Sequence, residues 1–235
     1  MIILTSVLVP LIENNNKIEE LNNVNHILDN IKKHLKKRDN FLFVANNLLD
    51  VNSNNEYAKK IFDTFEITLP FKNYYILDTR TLNQIDKLIK KADFIFLCGG
   101  HLPTQNEFFN KINLKEKIRN TNALIVGESA GSMNCANIVY IAPEIEGESI
   151  DENFKRYNKG LGLTDINILP HYQYYKNILL DGKRFLEDIL IPDSYNHEII
   201  GLPDGSYFLI DEDGNEELYG EAYSINKGKI KTIKK

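Results

Sequence analysis

Ala123-Leu124-Ile125-Val126-Gly127-Glu128-Ser129-Ala130-Gly131 decides how this chain is read. Four apolar residues form a short continuous run of the buried-strand type. A Gly-x-Ser-x-Gly turn comes at once and opens onto small residues that can start a helix. A strand that turns this sharply into a helix forces the apex residue into a strained backbone conformation, and Gly127 and Gly131 remove the side chains that would collide across the turn. The pattern predicts Ser129 at the carboxyl end of a central strand and at a helix N-terminus. There, backbone N–H groups and the helix dipole favour a developing negative charge. The plainer alternative makes Ser129 the N-cap of an ordinary tight turn.

Upstream of this stretch, strand-like and helix-like segments alternate. Phe41 to Ala45, Tyr74 to Leu77 and Asp93 to Cys98 read as strands. Val24, Leu28, Ile31 and Leu35 recur at helical spacing, as do Tyr57, Ile61 and Phe65, and then Leu82, Ile85, Leu88 and Ile89. A further helical stretch breaks near Asn113. Met1 to Ile12 reads as a buried edge or central strand, with Glu13-Asn14-Asn15-Asn16 as the loop after it. This order predicts an α/β fold with a mainly parallel sheet covered by helices on both faces. The last forty residues differ. Ile199 to Ile210, Leu218 to Ile225 and Lys229 to Ile233 read as antiparallel strands, with turns at Asp213-Gly214-Asn215 and Asn226-Lys227-Gly228. Residues 142–159 have no clear period and many acids, and read as a long loop beside the site.

At 235 residues the chain fits a single domain spanning 1–235, large enough to bury a core without staples. A net charge of −5 argues against a nucleic-acid surface, and Lys36-Lys37-Arg38 reads as a solvated helix terminus. The apolar opening segment has no basic leader, contains Pro10 and is too short to span a bilayer. Cys98 and Cys135 make no disulfide framework and read as reduced thiols of a cytoplasmic protein.

A serine nucleophile needs a base, usually His, and an acid to orient it. His26 and His34 sit on the first helical pattern and read as surface residues. Of His101, His171 and His197, His171 is the best base candidate, because it closes a strand-like segment, 160–169, that ends at Pro170. His101 reads as a pocket-lining residue and His197 as part of a turn. Asp204 in Leu202-Pro203-Asp204-Gly205 is the leading acid, with Glu144, Glu146 and Glu148 as rivals. Asp151 or Asp165 paired with His171 would give the Ser-acid-His order of lipase-type hydrolases. Gly99-Gly100-His101 ends the preceding strand, so the amide of Gly100 or His101 could join that of Ala130 in an oxyanion hole.

Four segments together resemble peptidase family S51, which includes aspartyl dipeptidase (peptidase E) and is related to cyanophycinase. They are Phe96-Leu97-Cys98-Gly99-Gly100, Gly127-Glu128-Ser129-Ala130-Gly131, Leu169-Pro170-His171-Tyr172 and Ile200-Gly201-Leu202-Pro203-Asp204-Gly205. The resemblance implies a class-I glutamine-amidotransferase-like, flavodoxin-like fold that uses serine in place of cysteine. It also implies a Ser129–His171–Asp204 triad, in which the family often has Glu at the acid position. Dipeptidase members carry Gly-Gly-Gly-Asn-Thr where this chain has Gly99-Gly100-His101-Leu102-Pro103-Thr104-Gln105-Asn106. It is therefore closer to an uncharacterised amidotransferase-like branch. The resemblance implies the activity of a serine-type peptidase or amidohydrolase on a small peptide or amide, without metal or organic cofactor. No nucleic-acid or membrane partner is expected, and a homo-oligomer is compatible. An Asp-specific site would want a cation, for which Arg156 and Lys159 are candidates, and Gln105 lies in the loop that borders the substrate. The alternatives are an amidase or esterase on a non-peptide acyl compound, or a pseudoenzyme that binds a peptide or metabolite.

Overall fold

A computed structural model describes residues 1–10, 18–47 and 49–234, so the expected loop at Glu13 to Asn16 lies outside the described residues. In chain order come β1 (Ile2–Thr5), α1 (Ile27–His34), β2 (Asn40–Val44), α2 (Val51–Thr68), β3 (Asn73–Leu77), α3 (Ile85–Lys91) and β4 (Phe94–Leu97). Then come α4 (Leu102–Lys111), α5 (Leu114–Ile118), β5 (Leu124–Glu128), α6 (Ala130–Met133), β6 (Ile138–Tyr140), β7 (Tyr157–Lys159), β8 (Ile168–Pro170) and α7 (Tyr172–Tyr175). A short hairpin, β9 (Leu179–Leu180) and β10 (Lys183–Arg184), leads through a π-helical stretch, Phe185–Leu190, into α8 (Ile191–Asp193). The chain finishes with β11 (Ile199–Leu202), β12 (Tyr207–Ile210), β13 (Glu216–Tyr219), β14 (Glu221–Asn226) and β15 (Lys229–Lys234).

The main sheet has the order β13-β12-β1-β5-β4-β2-β3. β1, β5, β4, β2 and β3 run parallel, and β12 and β13 are antiparallel additions. Helices cover its faces, so β4 is buried along its whole length, which is why its sequence is continuously apolar rather than alternating. Phe41 sits at the centre of an aromatic cluster with Phe62, Phe65, Phe71, Tyr74, Phe94 and Phe96, at ring separations of 4.8 to 6.2 Å. α2 starts where Asp50 accepts from the Ser53 amide at 2.9 Å, and α4 carries Pro103 in its first turn. Asn113, at φ 50°, separates α4 from α5 where the break was expected. β1 is a central strand, between β12 and β5.

Other expectations need correction. The carboxyl-terminal strands do not all extend the main sheet: a second sheet runs β15-β14-β11-β8. Ile199 to Ile210 is not one strand, because a turn at 203–206 passes the chain from β11 in the second sheet to β12 in the first. Leu218 to Ile225 divides likewise at Gly220, whose φ of +93° breaks the extended backbone between β13 and β14. The two crossings touch, since the Glu221 amide donates to Ser206 Oγ at 3.0 Å. The segment before His171 is irregular until Ile168, and the loop expected over 142–159 ends in β7, which pairs with β6. Thr79–Gln84 is a 3-10 turn ahead of α3. Lys36-Lys37-Arg38 lies beyond the end of α1, and His34 is half-buried rather than a surface residue. The β14–β15 hairpin does form at a sheet edge. Lys227 and Gly228, both at positive φ, make the tight turn.

Candidate active site

Parallel strands end on one side of a sheet, and the candidate site is built from the residues just past those ends. Ser129 lies just after β5, Gly99 after β4, and Ser6 after β1. In the second sheet β8 and β11 are parallel, with Pro170 opposite Leu202. That register sets His171, the next residue after β8, beside Asp204, two residues past β11. The site is the seam where the two sheets meet.

Ser129 has φ 50° and ψ −118°, a conformation a side-chain-bearing residue rarely adopts. It is held there by its amide, which donates to Thr5 O at 3.0 Å, and by Ser132, whose Oγ accepts from the Thr5 amide at 2.9 Å. The elbow is tight because α6 leans on β4: a Cβ on Gly131 would lie 2.0 Å from Leu97 O. Ser129 is half-buried, so its hydroxyl stays accessible.

His171 Nε2 lies 3.0 Å from Ser129 Oγ, and His171 Nδ1 lies 2.7 Å from Asp204 Oδ1. The side chains of His171 and Asp204 both keep contact with solvent, at 27% and 29% exposure, so water screens their attraction. His171 itself sits at φ 56° and caps α7. Ser6 stitches this half of the site to the other, its Oγ donating to Leu202 O at 2.7 Å and accepting from the His171 amide at 3.3 Å. The turn at 203–206 carries Asp204 close enough for its short side chain to reach the imidazole.

The Ala130 amide opens α6 and so has no partner within that helix. Gly99 packs on Ser129, a Cβ there falling 3.4 Å from Ser129 Cβ. Gly100 has φ +139° and presses against Asn46, a conformation and a space that admit only glycine. Ala130 follows Ser129 directly, and of the glycine pair it is Gly99 that touches Ser129, with Gly100 next along the chain. His101 is exposed, with Nδ1 2.7 Å from Thr104 Oγ1.

Several expected site residues stand elsewhere. Gln105 is fully buried, donating to Cys98 O at 2.7 Å and accepting from Asn134 Nδ2 at 2.9 Å, so it anchors α4 instead of facing a substrate. Arg156 is claimed by Asp193, Nε to Oδ2 at 3.2 Å, and lies over the Phe154 ring. Lys159 is an exposed residue of β7 whose carbonyl accepts from Asn106. Glu144 lies within electrostatic reach of His101 and His171, which places the acidic loop beside the site. Asp204 nevertheless occupies His171 Nδ1, which leaves that nitrogen to none of Glu144, Glu146, Glu148, Asp151 or Asp165. Glu148 and Asp151 bond amides of their own loop instead. His197 packs its ring on Tyr157, in the turn expected of it. Cys98 and Cys135 are buried, and burial pushes both thiols up, away from the reactive thiolate.

Two residues that carry no motif of their own complete the surroundings. Glu128, just before Ser129, is buried and accepts from the Leu8 and Val9 amides at 2.8 and 2.9 Å through Oε2. Its Oε1 accepts from the Tyr57 hydroxyl at 3.0 Å. Burial raises its carboxyl above the ordinary range, against the pull of those amides, Tyr57 and His171. Burial first, and then the charge of Glu128, hold the Tyr57 phenol well above its ordinary value, so it remains an O–H donor. A charged residue closing a buried strand was the available signal for Glu128, whereas Tyr57 looked like one more apolar helix position. Among the described residues no group of three or more His, Cys, Asp or Glu is arranged to hold a metal, and no helix is long and apolar enough to cross a membrane.

The sequence profile of peptidase family S51 matches residues 11–218. Among solved structures, a peptidase from an acI-B1 Actinobacterium superposes with a TM-score of 0.63 at 14% identity, over 87% of this chain and 85% of that one. A putative peptidase E protein from Listeria monocytogenes EGD-e superposes with a TM-score of 0.56 at 17% identity, over 100% of this chain and 98% of that one. At such identities the likeness is one of fold. No curated protein matches the chain in sequence.

Proposed function

The chain belongs to peptidase family S51, and we propose that it is a serine hydrolase that opens a small peptide or amide bond through an acyl-enzyme on Ser129. The observation that carries this reading is the continuous line of hydrogen-bond distances from Ser129 Oγ to His171 Nε2 and from His171 Nδ1 to Asp204 Oδ1. Ser129 Oγ attacks the scissile carbonyl carbon as its proton passes to His171 Nε2. Asp204 holds the proton on Nδ1, which fixes the tautomer that can accept and steadies the imidazolium. The oxyanion forms beside the amides of Ala130 and of Gly100 or His101, each such donor contributing about 3 kcal/mol. The imidazolium then protonates the leaving nitrogen, the C–N bond breaks, and the acyl group stays on Ser129. Water, losing a proton to His171, releases the acid and restores the hydroxyl. Ordinary bond polarity suffices for every step, so the reading needs no cofactor. Two buried free thiols fit the reducing cytoplasm in which we place it.

Arg156 is committed to Asp193, so it does not support recognition of an aspartyl dipeptide. A non-peptide amide or ester remains the second reading of the acyl donor, on the same three side chains. The test is labelling with a fluorophosphonate probe and then peptide mapping. The adduct is expected on Ser129 and absent in Ser129→Ala. An adduct on Ser132, or none, would favour a binding role for the inherited cleft.

A further inference from the structure

The oxyanion hole draws on two separate stretches of chain, the amide after the nucleophile and the loop after β4. Their spacing has to be held within a fraction of an ångström, or the donors miss the oxyanion. A glycine pair gives that loop freedom of approach and no side chains to fix it. Something outside the loop must do so.

Three groups do. On one side Asn46 Nδ2 donates to Gly99 O at 3.0 Å. On the other, the Tyr57 hydroxyl lies 3.2 Å from where a Gly99 Cβ would stand. The hydroxyl hydrogen then goes to Glu128 Oε1, and Glu128 Oε2 is gripped by the Leu8 and Val9 amides. The line therefore runs from the segment after β1, through the residue preceding the nucleophile, to the glycine loop. A buried carboxylate is costly where a neutral residue would pack as well, and its presence beside Ser129 asks for a reason.

We propose that Tyr57 and Glu128 are positioning residues that set the glycine loop at its working distance from Ser129; this rests on the serine-hydrolase reading above. Tyr57 touches neither His171 nor Asp204 in this arrangement, so it acts on the oxyanion half of the site and leaves the base half alone.

The experiment measures the rate of Ser129 phosphonylation by a fluorophosphonate, its pH profile and the melting midpoint, in the native protein, Tyr57→Phe, Glu128→Gln and the double variant. Phe keeps the ring and loses only the hydroxyl. Gln keeps the shape but offers an N–H where Tyr57 needs an acceptor. The expected result is an about 10- to 100-fold slower labelling in each single variant, with the midpoint of the pH profile unmoved in Tyr57→Phe, which keeps the Glu128 charge that His171 feels. The double variant should lose little more than the slower single one, as expected of members of one line. Labelling of Tyr57→Phe at the native rate would overturn the proposal, as would a displaced pH midpoint in that variant, or rate losses that merely track a fall in melting temperature in both single variants. Failure of the native protein to label at Ser129 is a different result and would remove the serine-hydrolase reading itself.

Discussion

Asp204 reaches His171 from an exposed turn, and little else depends on its side chain. Asp204→Asn should therefore melt near the native temperature while turnover falls roughly 10⁴-fold, because the amide favours the wrong imidazole tautomer. Paired melts and kinetics check this, and a loss below tenfold would take Asp204 out of the triad. Glu128 answers to pH in the opposite way from a paired surface acid. Burial, the largest influence, lifts its carboxyl above the ordinary 4.5. A raised carboxyl holds its proton more tightly in the folded chain, so its stabilising contribution is complete below 4.5 and is lost as pH rises through the raised value. Glu128→Gln has no such proton to lose. The melting midpoint of the native protein, measured relative to this variant, should fall as pH climbs from acid to neutral. A rising difference would mean that folding favours the anion.

At the scale of elements, the elbow is the most demanding joint. Gly131→Ala would put a Cβ 2.0 Å from Leu97 O, a backbone atom that cannot step aside. The expected cost is about 3 kcal/mol or more, and Gly214→Ala, whose Cβ meets open space at φ +84°, should cost only about 1–2 kcal/mol. Denaturant melts of the two variants give the comparison, and equal costs would refute the close packing of α6 on β4. This joint was legible in the sequence because its causes are local: a continuous apolar run and glycines at fixed offsets. The βα alternation up to β5 was legible for the same reason. The division of Ile199 to Ile210 between two sheets was not, since an apolar run does not say which neighbour it will pair with. Ser6 was invisible for a related reason. Its partners, Leu202 and His171, lie far along the chain, and nothing within a few residues of Ser6 hints at them. Gln105 misled because it lies inside α4 rather than on a loop, and its side chain turns inward onto Cys98 and Asn134.

Over the whole molecule, the two sheets share a chain that crosses between them at 203–206 and again at Gly220, and the crossings are bonded to each other through Ser206. One half losing its structure would pull on the other. A single cooperative transition is therefore expected, with far-ultraviolet circular dichroism and tyrosine fluorescence coinciding. The probe is a fair one, since there are 12 tyrosines and no tryptophan, and Tyr74 sits in the first sheet while Tyr223 sits in the second. Separated curves would show that the sheets unfold as independent units. β1 brings a last consequence, which concerns time. As the chain leaves the ribosome, Ile2 must wait more than a hundred residues for Ile125 and about two hundred for Ile210, the two neighbours that enclose it. Pairings this distant are slow to form. Thr5 and Ser6, which hold Ser129 and His171, stay unanchored for that interval, and Asp204 arrives only near its end. A nascent copy therefore shows Ser129 outside the exit tunnel before Thr5, Ser6, His171 and Asp204 can close around it.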